Sequence, residues 1–73
     1  MTKAEIALEA CHAFIAADAA WQAELVSRFG RDAWQARYEA RGRGSFDDDL
    51  GRLFLARDKA RMIWERRTPT LAA

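Results

Sequence analysis

The sequence predicts an all-α fold, a small three-helix domain in which two long antiparallel helices flank a short one. Three observations carry this. The chain of 73 residues is rich in Ala, Arg and Glu and poor in β-branched residues, a composition that favours helix. The only proline is Pro69, so nothing interrupts the body of the chain. Capping patterns also recur at three places, as T-x-x-E from Thr2, D-x-x-Q from Asp32 and S-x-x-D from Ser45.

Thr2 with Glu5 sets the start of the first helix, expected over residues 3–29, a rod of roughly 40 Å. On a helical wheel Ile6, Phe14, Trp21 and Leu25 fall together, flanked by Cys11, Phe29, Ile15, Leu8 and Val26. That apolar face is about 200° wide, enough to meet two other helices. Gly30 is placed for a left-handed cap, and Asp32 with Gln35 opens a second helix over 33–41 that carries Trp34 and Tyr38 one turn apart. Gly42 and Gly44 end it. Ser45 with Asp48 then starts the third helix, expected over 46–67, with Phe46, Leu50, Leu53, Ala60 and Trp64 on its inner side. Asp47, Asp48 and Asp49 sit where its dipole favours negative charge, and Arg66 and Arg67 where it favours positive charge. Thr68 and Pro69 stop it, leaving 68–73 as a flexible tail.

A single domain of this size buries only about 60% of the surface its unfolded chain exposes, so marginal stability is expected. The net charge of +1 gives little whole-molecule attraction to nucleic acid or anionic membrane. Its distribution is uneven, because residues 1–27 hold Lys3 against four acidic residues and the remainder holds eleven basic against seven acidic residues. Cys11 is the only cysteine, which excludes an intramolecular disulfide and a cysteine-rich zinc knuckle. No apolar run approaches the roughly 20 residues of a membrane span, and the N-terminal residues lack the layout of a signal peptide. A cytoplasmic protein without membrane association is expected.

Polar residues interrupt the apolar faces of both long helices. Asp18 lies in the middle of the first helix's face, with Gln22 one turn on, and Arg57 and Arg61 fall inside the stripe of the third helix. An unpaired buried charge is strongly disfavoured, so a structural ion pair of Asp18 with Arg57 or Arg61 is expected. The other reading of this polar cluster is an exposed contact site whose apolar surroundings a partner covers.

Chemistry beyond binding finds little support. Glu9 and His12 form E-x-x-H, a spacing used in di-iron bundles, but a metal site needs a second such pair and the chain has one His. Cys11 and His12 are sequence neighbours that point about 100° apart on a helix and cannot act together. No phosphate-cradling loop, Ser/His/Asp set or inward carboxylate pair occurs, so catalytic residues, metal and cofactor are expected to be absent.

Surfaces for association are more evident. Ala13, Ala16, Ala20 and Ala23 form a smooth strip opposite the apolar face, which is either ordinary helix filling, since Ala is the best helix former, or the surface of a homodimer or another partner. Arg28, Arg31, Arg37, Arg41 and Arg43 are interleaved with Trp34 and Tyr38, the residue types that dominate binding hot spots and that can also meet phosphates and bases. Arg37, Arg41, Arg43, Trp34 and Tyr38 are the candidate partner-binding residues, and core packing is the competing role for Trp34 and Tyr38.

The residues Phe29-Gly30-Arg31-Asp32-Ala33, Ala36-Arg37-Tyr38 and Arg41-Gly42, followed by Leu50, Leu53, Ala60 and Trp64, resemble a pattern in small uncharacterised helical proteins of bacteriophages, prophages and other mobile elements. The resemblance implies a non-enzymatic protein that binds and modulates or inhibits a host protein or ribonucleoprotein complex, as anti-CRISPR proteins do. The alternative is nucleic-acid binding through the basic second helix and the loop after it.

Overall fold

A computed structural model describes residues 2–67. The described residues are almost entirely helical, in the order α1 (Lys3–Phe29), a 3-10 turn (Gly30–Asp32), α2 (Ala33–Ala36), a second 3-10 turn (Ala40–Arg43) and α3 (Asp49–Arg67). The tail expected to be flexible lies outside the described residues. The longest dimension is 40 Å, the length expected of α1 alone, so the rest of the chain packs along that one helix.

At the start of α1 the Thr2 hydroxyl accepts the amide of Glu5 and the Glu5 carboxylate accepts the amide of Thr2, the reciprocal cap that the T-x-x-E pattern predicts. At its end Gly30 takes φ 57°. Its amide still bonds the Val26 carbonyl while the chain turns away from the helix axis. The helix α3 returns antiparallel. Phe14 stacks on Trp64, Asp18 meets Arg57, Trp21 meets Phe54 and Arg28 meets Asp48, so ascending positions on one helix contact descending positions on the other.

The second helix is much shorter than its sequence predicts. The expected helix over 33–41 is a single α-turn, after which the amides of Tyr38 and Glu39 bond the carbonyls of Gln35 and Ala36, three residues back rather than four. Packing explains this tightening. Ala33 and Ala36 are buried against α1, and Gly42 lies so close to the Ala36 backbone that no Cβ fits there. The carbonyl of Gly42 accepts the indole N–H of Trp21 at 2.9 Å. A helix continuing to Arg41 would carry that acceptor away and leave a buried donor unsatisfied.

The third helix starts three residues later than expected. The Asp48 amide bonds the Ser45 carbonyl in a turn, and the Asp48 carbonyl accepts the first helical bond, from Arg52, so Asp48 rather than Ser45 stands at the cap position. The Ser45 hydroxyl donates to Asp47 instead of capping a helix. This turn folds tightly over the start of α3, because Gly51 offers no side chain against the Ser45 backbone and Gly44 adopts φ 62°. Phe46, expected on the inner side, sits in the turn and is 84% exposed.

The core is small: Trp21, Leu25, Ala33, Ala36 and Leu50 are buried together, with Phe29, Leu53 and Phe54 packed against them. The wide apolar face of α1 has only one long neighbour, α3, and Leu8, Ile15 and Val26, expected to flank buried residues, are exposed.

Candidate functional site

The interior of the site is built around Asp18 and Trp21, one turn apart on α1. Oδ1 of Asp18 accepts hydrogen bonds from Arg57 Nε at 3.0 Å and Arg37 Nη2 at 2.5 Å, and Arg37 Nη1 donates to Gln22 Oε1 at 2.8 Å. The expected pair of Asp18 with Arg57 is therefore present, but its second partner is Arg37. Arg61 lies one turn beyond Arg57 on α3 and is engaged by its own helix neighbours Asp58 and Glu65. Arg37 in turn is drawn inward from the outer surface on which the sequence places it.

Both guanidiniums that meet Asp18 also lie against aromatic rings. The carbon at the centre of the Arg37 guanidinium is 4.7 Å from the Trp21 ring centroid and 5.7 Å from that of Trp34. That of Arg57 is 5.3 Å from both Trp21 and Phe14. Cations at such distances are attracted by the ring quadrupole. One carboxylate, two cations and the indole of Trp21 thus tie α1, α2 and α3 to one another.

Burial pushes the Asp18 carboxyl up, but the hydrogen bonds from Arg37 and Arg57, with their charges, outweigh it and hold its pKa below the ordinary 3.8. The Asp48 carboxyl is also held below that value, chiefly by a bidentate hydrogen bond from Arg28 across the end of the helix pair. A depressed carboxylate stabilises the fold fully above its unfolded pKa, and that contribution is lost as pH falls through the folded value. Thermal stability is therefore expected to hold steady near neutral pH and to fall below about pH 4. Asp18→Asn should weaken this acid dependence, and an acid dependence equal to the parent's contradicts the role given to Asp18. Asp18→Ala is expected to cost about 2 kcal/mol in denaturant unfolding, less than a deeply buried pair because solvent reaches part of the cluster.

The outer layer is formed by the other candidate residues. Trp34 and Tyr38 are 64% and 77% exposed, so core packing is not their role. Arg41 lies over Phe29 and pairs with Glu39, both of them near neighbours of the same surface. Arg43 makes no ion pair among the described residues. Beside these side chains is an open cleft of about 370 Å³ lined by Arg37, Arg43, Arg57, Arg61 and the acidic Asp58, with Trp21, Tyr38 and Phe54 on its walls. Sequence reasoning missed the cleft because Arg57 and Arg61 come from α3 and the other arginines from the segment around α2. The available signal was Gln22, a second polar side chain on the face of Asp18 that calls for a donor of its own.

Elsewhere, Ala13, Ala16, Ala20 and Ala23 are all exposed along α1, as are Glu9 and His12. Among the described residues no group of three or more His, Cys, Asp or Glu side chains is arranged to hold a metal ion, and no helix is long and apolar enough to cross a membrane. No protein-family model, curated protein or solved structure matches the chain.

Proposed function

We propose that the protein is a non-enzymatic binding module that engages a partner protein through Trp34, Tyr38, Arg41 and Arg43. The observation that supports this reading is the exposure of two large aromatic rings, Trp34 and Tyr38, four residues apart in the chain, with Arg37 between them anchored to Asp18 and Gln22 and lying against Trp34. Burying an aromatic side chain at an interface removes a large apolar area from water, and its ring and an adjacent guanidinium are the groups that contribute most to hot spots. Arg37 supports the surface from inside, since its guanidinium is committed to Asp18 and Gln22. The resemblance of the central segment to phage and mobile-element proteins suggests a host protein or ribonucleoprotein complex as the target and inhibition as the outcome, as with anti-CRISPR proteins.

The experiment is affinity capture from a host lysate, with and without nuclease, using the parent and the Trp34→Ala/Tyr38→Ala variant. A protein retained by the parent after nuclease treatment, and lost with the double variant, is the expected result. Capture that disappears with nuclease favours the second reading, in which the cluster of arginines and exposed rings binds nucleic acid, and affinity should then fall steeply with salt. The Ala13, Ala16, Ala20 and Ala23 strip is proposed as the surface for self-association. Ala16→Glu/Ala20→Glu should then lower the mass in solution, and an unchanged mass removes that role.

A further inference from the structure

The arginine-lined cleft has a chemistry that a protein-binding surface does not require. Arg37 and Arg57 share Asp18, and Arg61 is balanced by Asp58 and Glu65. Four guanidiniums therefore meet three carboxylates, and the excess charge resides on Arg43, which lines the cleft and has no ion-pair partner among the described residues. Donors are in excess as well. Arg57 commits only Nε to Asp18, and its two terminal nitrogens have no hydrogen-bond partner among the described residues. A cleft with surplus cationic donors from two separate segments, Arg43 in the second 3-10 turn and Arg57 on α3, favours an anion with several acceptor oxygens, and a phosphate monoester offers three, against two for a carboxylate.

The walls restrict the ligand further. Tyr38 lines the cleft with most of its ring open to solvent, and an exposed aromatic face is a stacking platform for a base. The volume of about 370 Å³ lies at the lower end of small-molecule sites, suited to one nucleotide rather than a strand. We propose that the cleft binds a mononucleotide, with the phosphate among Arg43, Arg57 and Arg61 and the base against Tyr38. This assignment goes beyond the protein-binding reading and does not depend on it.

The test is titration of the purified full chain with AMP, with adenosine, with inorganic phosphate and with a short oligoadenylate, followed by NMR. AMP should bind, more weakly as salt rises, and adenosine and inorganic phosphate should each bind about tenfold more weakly or worse, since each lacks one half of the recognised group. Arg43→Gln should weaken AMP by about tenfold without moving the thermal midpoint, because that side chain has no ion-pair partner to lose. Tyr38→Ala should weaken AMP while leaving inorganic phosphate unaffected. The assignment is overturned by absence of AMP binding at millimolar concentration, by phosphate binding as tightly as AMP, by binding of oligonucleotides alone, or by an Arg43→Gln chain with parental affinity. Partner capture that survives any of these outcomes leaves the protein-binding reading standing, and Trp34→Ala should abolish capture while sparing AMP.

Discussion

Trp21→Ala is expected to remove most of the protein's stability. The indole is almost fully buried at the centre of a core of five residues, touches Phe54, carries the guanidiniums of Arg37 and Arg57 on its ring, and donates its N–H to Gly42. Truncating a buried Trp to Ala costs about 3–5 kcal/mol through lost burial and the cavity left behind. A chain of 73 residues has only about 4–11 kcal/mol in total at typical values per residue. Denaturant unfolding should show a largely unfolded population or a midpoint shifted close to zero denaturant. Trp21→Phe should retain part of the loss, since it restores bulk but leaves the Gly42 carbonyl without its donor. A Trp21→Ala chain that unfolds at the parent's midpoint removes the indole from the centre of the account.

Gly51→Ala should also destabilise, and the sign is the point of interest. In an exposed helix this substitution stabilises by about 1 kcal/mol, because Ala is the best helix former and Gly among the worst. Gly51 is instead buried in the first turn of α3, where a Cβ would overlap the backbone carbonyl of Ser45. The turn of residues 45–48 would have to lift away, taking with it the cap at Asp48 and the bidentate contact of Arg28. Overpacking of this kind typically costs about 1–3 kcal/mol, enough to reverse the propensity gain. A higher thermal midpoint for Gly51→Ala would show that the turn is not clamped onto the helix.

These two residues also show what could be read from the chain and what could not. The first helix was legible because its signals are local: Thr2 and Glu5 begin it, Gly30 ends it, and Trp21 and Leu25 repeat at one-turn spacing. The demand of Asp18 for a basic partner was legible for a different reason, since a charge on an apolar face must be neutralised wherever it lies. Arg57 met that demand as expected. The involvement of Arg37 was hidden because its neighbours Trp34 and Tyr38 suit an outward surface, whereas Arg37 itself stands one helical turn after the buried Ala33, on the side of α2 that faces α1. The start of α3 was ambiguous in the same way. Ser45 and Asp48 are both good caps, and the choice between them depends on Gly51 approaching the backbone of a residue six positions earlier, a contact that capping patterns do not encode. The exposure of Phe46 follows from the late start of α3, and that of Leu8, Ile15 and Val26 from a face wider than one long neighbour covers, because apolar periodicity shows that a face exists without showing what is available to cover it.

We propose that Trp34 and Tyr38 are exposed for binding and that Arg37, tied to Asp18 and lying against Trp34, supports them. The most direct measurement is quantitative capture of host proteins, after nuclease treatment, by the parent, by Trp34→Ala/Tyr38→Ala and by Ala16→Glu/Ala20→Glu, each shown to have the parent's thermal midpoint within a few degrees. The account predicts that the parent and the alanine-strip variant retain the same protein and that the aromatic double variant loses it. Equal retention by the folded double variant would contradict it.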